Sequence, residues 1–392
     1  MRKSNHLLEM APKSKKYNNI FLVCVIILLL GILYYIFKDI LSYVFMYLKI
    51  KNSKRYLTKS YEPSPVLEED KNTYTWLIHM YPPMHNAGAE WMAHAMNRYL
   101  VDVRGNNVNV IVNETKVNEF ERVIIMKPDN KENNNYYIKH SNALISHLDM
   151  ETSAIIAAKQ AKRPLVVVMH NNYRKKFLSQ YLNFLNKNIY IIHNSYWIKE
   201  YYSSFNIPSI VVYPPVYWKE YATETTREFV TLINLNYNKG GNVFIEIAKR
   251  MPDIKFLGVK GGYDGQIMNK NVSNITYLPN TAFIKDMYAK TDILLIPSKE
   301  ESWGRVAVEA MSSGIPVIAN PTPGLVESCG EAGIFCKRND IDSWVREIRR
   351  LKTDSEYYKT KSDLCLMRAK ELDPEPQLKA MADWLSQLKW QE

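Results

Sequence analysis

The sequence predicts an α/β protein made of two doubly wound parallel-sheet domains behind an N-terminal transmembrane helix. Three observations lead to this prediction. Residues Ile20 to Phe37 form an uninterrupted apolar run. From Thr73 onward, short apolar segments alternate with helical patterns, which is typical of parallel sheets covered on both faces. The pair Pro214 and Pro215 divides this succession, whose roughly one dozen strands are too many for one ordinary sheet.

The N-terminal region divides into a basic tail (1–19), a transmembrane and juxtamembrane anchor (20–48) and a linker (49–72). As a helix, the apolar run would span about 27 Å, close to the thickness of a hydrocarbon core. A cleaved signal peptide and a buried helix are the alternatives. The run is long for a signal peptide, no small-residue cleavage site follows it, and Tyr34 and Tyr35 suit a membrane interface. We therefore predict a single-pass anchor.

The charge distribution also favours a membrane partner. The net charge is +11, and residues 1–71, with 12 basic and 6 acidic side chains, supply about half of it. Basic clusters on both sides of the apolar run would attract anionic headgroups, although solvated flanks explain them as well. The rest of the chain has no stripe of Arg and Lys interleaved with aromatic residues, which argues against a nucleic-acid partner. The four cysteines show no paired spacing and therefore predict neither a disulfide framework nor a zinc site.

The folded part is predicted as a first domain (73–215), a second domain (216–373) and a C-terminal helix (374–392). The first domain contains strands in TYTWLIHM, NVNVIV, RVIIM, ALISHL, PLVVVMH, NIYIIHN and IVVYPP. The second contains FVTLINL, IKFLGV, ITYLP, DILLIPS and IPVIA. Both domains are therefore expected to be Rossmann-like. The final stretch, QLKAMADWLSQLKW, is amphipathic and is expected to cross back to the first domain.

Ligands of open parallel sheets bind beyond the carboxyl ends of the strands, so the functional residues are expected in the loops that follow the strands. After the first strand, YPPMHNAGAE leads into a helix, where Gly88 would let an anion approach the backbone or would simply make the turn. The loop NLNYNKGG offers Lys239, Gly240 and Gly241 before another helix. A cation and permissive backbone at a helix start outline a phosphate cradle, and a solvated lysine before a glycine turn is the alternative.

A third loop, ESWGRVAVEA, places two carboxylates around a Trp-Gly-Arg turn. A helix starting near Trp303 would bury one face and bring Arg305 and Glu309 together on the opposite face, while Glu301 precedes the helix. A diphosphate could bind the free N–H groups of such a turn, with a carboxylate on each side accepting hydroxyls. A sugar nucleotide presents that pattern. The alternative, an ion pair with a capping acid, does not explain Gly304.

The block IPSKEESWGRVAVEAMSSGIPVIANPTPGLVES resembles the donor-binding segment of the family four glycosyltransferases (glycosyl transferases group 1), including their two glutamates separated by seven residues. PPMHNAGAE, VVVMHNNY, IIHNSYW, VVYPPV and KGG extend the resemblance in family order. This likeness implies a GT-B fold, in which two Rossmann-like domains, an acceptor domain (73–215) and a sugar-nucleotide donor domain (216–373), face a cleft. It also implies a retaining enzyme with a nucleotide-diphosphate sugar as donor substrate, no cofactor and no metal.

The resemblance also implies a role for each matching residue. The implied donor-binding residues are Gly88 beside the phosphates, Lys239 and Gly240 at the diphosphate, Glu301 at the sugar hydroxyls, Trp303, Gly304 and Arg305 at the sugar and phosphates through backbone, and Glu309 at the ribose. The implied catalytic residues are Glu301, Lys239, Arg305 and, beside the reacting sugar, His170.

One position departs from the family pattern, which commonly has an arginine a few residues before the lysine; here the sequence is INLNYN. Either Arg305 supplies that charge, or stabilisation of the leaving group is weakened. The acid pair in DID at 340–342 is interpreted as a helix start rather than a metal site.

We predict a membrane-anchored, metal-independent, retaining glycosyltransferase whose acceptor is a glycan, lipid or protein. Its catalytic domains are expected in the cytosol, because sugar nucleotides are abundant there and no disulfide framework is present. The alternatives are a non-catalytic, membrane-tethered scaffold that binds sugar nucleotides and a nucleotide-sugar epimerase.

Overall fold

A computed structural model describes residues 71–127, 131–175, 178–179, 185–262, 265–281 and 283–392. The predicted basic tail, the predicted anchor at 20–48 and nearly all of the predicted linker lie outside the described residues. Within the described ranges, none of the helices combines the length and apolar character needed to cross a membrane.

The first domain is built on an eight-stranded sheet with the order β3-β4-β2-β1-β5-β6-β7-β8, parallel except for the antiparallel pair β3 and β4. Its elements are β1 (Thr73–Leu77), α1 (Gly88–Asp102), β2 (Asn107–Ile111), β3 (Glu119–Phe120), β4 (Val123–Met126), α2 (Lys131–His140), β5 (Ala143–His147), α3 (Glu151–Ala161), β6 (Leu165–Met169), β7 (Ile189–His193), α4 (Tyr196–Tyr201) and β8 (Ser209–Val211).

The second domain is built on a six-stranded parallel sheet with the order β11-β10-β9-β12-β13-β14. Its elements are α5 (Trp218–Tyr221), β9 (Phe229–Ile233), α6 (Gly241–Lys249), β10 (Phe256–Val259), β11 (Ile275–Leu278), α7 (Ile284–Tyr288), β12 (Thr291–Ile296), α8 (Arg305–Met311), β13 (Val317–Ala319), α9 (Pro323–Cys329), β14 (Ile334–Phe335), α10 (Ile341–Thr353), α11 (Ser355–Glu371) and α12 (Glu375–Gln387).

Strand β6 shows why these apolar runs form buried parallel sheets. All five residues of LVVVM are buried, with Val166 and Val168 on one face and Leu165, Val167 and Met169 on the other, each face packing into a separate core cluster. Because successive side chains of a strand point to opposite faces, a continuous apolar run fits only a sheet that is covered on both sides.

The C-terminal helix α12 packs against the first domain, which is the crossing expected from its amphipathic pattern. Leu378, Met381 and Leu385 are fully buried in the same cluster as the strands of the first sheet. On its polar side, Arg104 and Asp383 form an ion pair at 2.7 Å. The chain therefore ends by tying the second domain back to the first.

Candidate active site

A cleft of about 950 Å³ lies between the two domains, and both contribute to its walls. The loops that follow β1, β6, β9 and β12 line it, and these are the loops that carry Gly88, His170, Lys239 and Glu301. Parallel strands present their carboxyl ends at one edge of a sheet, so two facing sheets bring four such loops together. The structure thus gathers into one cleft residues that are more than 200 positions apart in the sequence.

Lys239 is positioned by the turn that starts α6. Gly240, the residue before the helix, has φ +92°, and a Cβ there would come within 2.6 Å of Pro297 Cγ. Only glycine fits this left-handed position so close to the end of the neighbouring strand β12. The tight approach brings the Lys239 ammonium to the carboxylate of Glu301, with which it forms an ion pair.

Glu301 lies in the loop between β12 and α8, and its side chain is 11% exposed. The oxygen that pairs with Lys239, Oε1, also accepts a hydrogen bond from Ser298 Oγ at 3.0 Å. The sequence placed Lys239 and Glu301 at different groups of a donor. The structure shows that they are direct neighbours, so a ligand that reaches one reaches the other.

The helix α8 begins at Arg305 rather than near Trp303, so the predicted start was two residues too early. Gly304 ends the preceding turn with φ +93°, and a Cβ there would approach Leu325 Cδ2 to 2.6 Å. Because a left-handed residue cannot continue a right-handed helix, Trp303 stays in the loop. Its side chain is buried and stacks on Tyr213 with the ring centroids 5.3 Å apart.

Glu309 is buried, although the helical pattern placed it on the face opposite the apolar one. Its Oε2 accepts a hydrogen bond from the Tyr288 hydroxyl at 2.8 Å, and its Oε1 lies 2.8 Å from Arg305 Nε. Burial, with Glu309 nearby, raises the pKa of Tyr288 well above its ordinary value, so this phenol remains a donor. The predicted pairing of Arg305 and Glu309 one turn apart is confirmed.

Arg305 also donates from Nη2 to the Tyr221 hydroxyl at 2.5 Å. This guanidinium lines the cleft while a carboxylate and a phenol hold it in place. Asn234 lies in the segment where the family commonly has an arginine. It accepts a hydrogen bond from Gln266 Nε2 at 3.1 Å and packs against Gly261. Asn234 therefore places no cation in the cleft, and Arg305 does.

His170 lies across the cleft and is joined to His147, a residue to which the sequence assigned no partner. His147 Nδ1 and His170 Nε2 are 2.9 Å apart. Burial lowers the pKa of His170 to about 4, with a further contribution from Arg174, and burial together with His170 lowers the pKa of His147 well below its ordinary value. Both rings are neutral near pH 7. The signal available in the sequence was that both histidines end or follow adjacent strands, β5 and β6.

Ser302, between Glu301 and Trp303, ties the donor-side loop to the first domain. Its Oγ accepts from Asn194 Nδ2 at 2.7 Å, and its carbonyl accepts from Trp197 Nε1 at 2.6 Å. Through these two bonds, side chains of the first domain position the loop of the second domain that carries Glu301 and Gly304. Asn194 and Trp197 lie in the segment IIHNSYW, which carries part of the family resemblance, but the sequence assigned neither a role because a contact between domains leaves no local pattern.

Residues 217–363 match the family model described as glycosyl transferases group 1. The second domain of the chain is therefore similar to the glycosyl transferases group 1. An uncharacterized glycosyltransferase of Haemophilus influenzae is 30% identical over 128 residues, 30% of this chain and 36% of that relative. A D-inositol 3-phosphate glycosyltransferase of Rhodococcus erythropolis is 34% identical over 85 residues, 21% of this chain and 19% of the relative. The chain thus matches about a third or less of these relatives' length.

At the level of the fold, the likeness to known proteins extends over both domains. The crystal structure of Anabaena HepE in complex with UDP and glucose superimposes with a TM-score of 0.68 at 18% identity, covering 80% of this chain and 99% of HepE. This agreement, together with the two facing parallel sheets, establishes the GT-B fold.

The predicted metal-free character stays a prediction. In the described part of the chain, no group of three or more His, Cys, Asp or Glu side chains is arranged to hold a metal ion. The acid pair at 340–342 does start a helix: Asp340 Oδ1 accepts from the backbone N–H of Ser343 at 3.2 Å at the start of α10, and Asp342 pairs with Arg250. The interpretation of this pair as a helix start is confirmed.

Proposed function

We propose that this protein transfers a glycosyl residue from a nucleotide-diphosphate sugar to an acceptor. One observation carries the proposal: two acidic side chains, Glu301 and Glu309, flank the Gly304 turn at the floor of the cleft, each next to a cation. A sugar nucleotide needs this order of groups, because hydroxyls on both sides of a diphosphate require acceptors while the diphosphate requires positive charge.

The roles proposed for the individual residues are those that the family resemblance implies. Glu309 accepts the ribose hydroxyls, and Glu301 accepts those of the donor sugar. As the glycosidic bond of the donor breaks, negative charge grows on the departing diphosphate, and Lys239, Arg305 and the backbone N–H groups near Gly88 stabilise it. The neutral His170 ring lines the cleft from the first domain, which supports the contact with the reacting sugar that the resemblance implies.

Three finer features belong to the same proposal. Transfer retains the anomeric configuration, because the family resemblance implies it, and it needs no metal. The apolar run at 20–37 anchors the protein in a membrane, with the two domains in the cytosol. The acceptor is a glycan, lipid or protein. Because the HepE structure is a complex with UDP and glucose, UDP-glucose is the first donor to test.

A thermal-shift screen of sugar nucleotides followed by product analysis tests the proposal. A true donor at 100 times its Kd adds about 2.7 kcal/mol to stability and should raise Tm by several degrees. Slow release of the nucleotide without acceptor, and faster release with it, would support a transferase. Tight binding with no release would favour a scaffold, and an isomerised sugar that is still attached to its nucleotide would show an epimerase.

A further inference from the structure

Glu90 and His85 form a pair in the wall of the cleft that the donor site leaves without a role. Glu90 lies in the first turn of α1, and its side chain is 7% exposed. Its Oε1 lies 3.4 Å from Nδ1 of His85, but this ring nitrogen, although buried, makes no hydrogen bond. Among the described residues no other side chain or backbone group bonds to the Glu90 carboxylate. The Glu90 carboxylate therefore faces the cleft without a donor from the described residues, and a ligand bound there would supply one.

The space beside this pair is open. Both residues line the cleft, and so does Gly88, which lies between them in the sequence. A Cβ added to Gly88 would have no protein atom within 4 Å, so protein packing does not account for the glycine. A carboxylate accepts two or more hydroxyl donors, and a neutral imidazole both donates and accepts. Adjacent hydroxyls of one ligand would therefore satisfy both residues at once.

The charges around the cleft are divided between the two domains. The polar described residues that the first domain contributes to the lining include His79, Glu90 and His170, but neither Lys nor Arg. Arg174 is close enough to influence the pKa of His170, but it lies 3.5 Å from Glu151 and outside the lining. The lysines and the arginine in the lining all belong to the second domain. The backbone N–H groups near Gly88 can accept the diphosphate of the donor, but a phosphate placed against the Glu90 carboxylate would find no cation on the first domain's side.

We propose that Glu90 and His85 bind the acceptor, and that the acceptor portion held there is an uncharged sugar with adjacent hydroxyl groups. This inference rests on the proposed transferase function and deepens it. Glu90 acts as a binding residue: its carboxylate accepts hydroxyls of the acceptor sugar and orients it toward the donor. A phosphorylated sugar is excluded at this subsite by the missing cation.

Saturation-transfer NMR tests binding directly, with and without UDP. The full chain is purified in a zwitterionic detergent that contains no sugar, because of its apolar run. The probes are methyl glycosides of glucose, galactose, mannose and N-acetylglucosamine, together with glucose 6-phosphate and mannose 6-phosphate. We expect at least one methyl glycoside to bind and neither phosphate to do so. Glu90→Gln should weaken that binding about tenfold or more, the loss typical of one hydrogen bond to a charged group, and His85→Ala should weaken it less.

Glu114→Gln serves as the matched control, since Glu114 is exposed and outside the cleft lining, and it should bind the glycoside normally. An unchanged Tm and UDP affinity of Glu90→Gln would show that its fold is intact. If that variant does not fold, Glu90→Asp replaces it; because it keeps the carboxylate, it should bind the methyl glycoside with intermediate strength. Equal glycoside binding by wild type and Glu90→Gln, preferential binding of the sugar phosphates, or binding of no methyl glycoside at all would overturn the proposal.

A transfer assay separates this inference from the proposed function. In that assay Glu90→Gln should raise the acceptor KM about tenfold while hydrolysis of the donor by water stays within about twofold of wild type. If glycoside binding depends on Glu90 but no donor releases its nucleotide, the acceptor subsite would be supported and the transferase function refuted. If Glu90→Gln transfers the sugar as wild type does, the transferase function would be supported and the acceptor subsite refuted.

Discussion

Lys239 gives the sharpest test of the donor site, because the structure pairs it with a carboxylate that has a role of its own. The side chains of Lys239 and Glu301 are 26% and 11% exposed, so both are largely removed from water. If the ammonium meets charge that grows as the donor bond breaks, Lys239→Ala should lower kcat by about 10² to 10³, or roughly 3 to 4 kcal/mol. Donor affinity should fall less.

Removing the lysine has a second effect, which a double variant isolates. In Lys239→Ala, Glu301 keeps only its bond from Ser298 Oγ, and its bare charge lies where the diphosphate approaches. Adding Glu301→Gln removes that repulsion, so the double variant should recover donor affinity but not kcat. Initial rates of nucleotide release and donor Kd by calorimetry measure both quantities.

Lys249→Ala is the control for this cycle. Lys249 pairs with Glu246 at 2.7 Å on the exposed surface of the same helix, α6, and its removal should change neither quantity. A near-normal kcat for Lys239→Ala, or a double variant that recovers kcat in full, would mean that the lysine only neutralises Glu301. The assignment of Lys239 to the leaving group would then be wrong.

Four further predictions follow from the same geometry. Gly88→Ala should leave Tm unchanged but weaken donor binding, because no protein atom would contact the added Cβ. Gly304→Ala should lower Tm as well, because this position has a left-handed φ and its Cβ would clash with Leu325. Equal effects of the two variants on Tm would refute this contrast. Glu309→Gln should weaken donor binding by about 1.5 to 3 kcal/mol in calorimetry, and normal binding would contradict its ribose role. Burial lowers the pKa of His193 to about 4, so the unfolded state takes up a proton first as the pH falls from 6.5. At pH 4.5 this difference lowers the free energy of unfolding by about 2 to 3 kcal/mol. Between neutral pH and pH 4.5, the urea midpoint of His193→Leu should therefore fall less than that of wild type. EDTA should not slow transfer, and a loss restored by manganese would show a metal requirement.

The sequence was informative where a pattern is local. The buried run LVVVM identifies a strand of a parallel sheet because both of its faces are apolar, and the structure places it inside the first sheet, between β5 and β7. The spacing of Arg305 and Glu309 predicts their contact because one helical turn separates them. Gly240 and Gly304 could be recognised as turn residues, since each interrupts an otherwise regular pattern just before a helix.

The sequence was uninformative where two distant segments meet. Helical periodicity gave Glu309 an exposed face, but Tyr288 from another helix covers it. Nothing local connects His147 with His170, or Lys239 with Glu301, because register between strands and the packing of loops decide those contacts. The start of α8 was misplaced because the apolar pattern includes Trp303, whose side chain is buried against Tyr213 without being helical.

The contacts between the domains explain why the donor loop cannot be understood from the second domain alone. At one end of the cleft, Glu327 of α9 accepts from the backbone N–H groups of Tyr196 and Trp197 at 2.7 and 3.0 Å, so a carboxylate of one domain caps a helix of the other. At the opposite side, Asn86 donates to Asn280 Oδ1 at 3.0 Å and to the carbonyl of residue 281 at 2.7 Å. Any opening of the cleft must break these bonds, and Trp197 of the first set also donates from its side chain to the carbonyl of Ser302. A movement of the domains therefore moves the loop that carries Glu301 and Gly304, and under the proposed function we expect it to couple access of the acceptor to the geometry of the donor site.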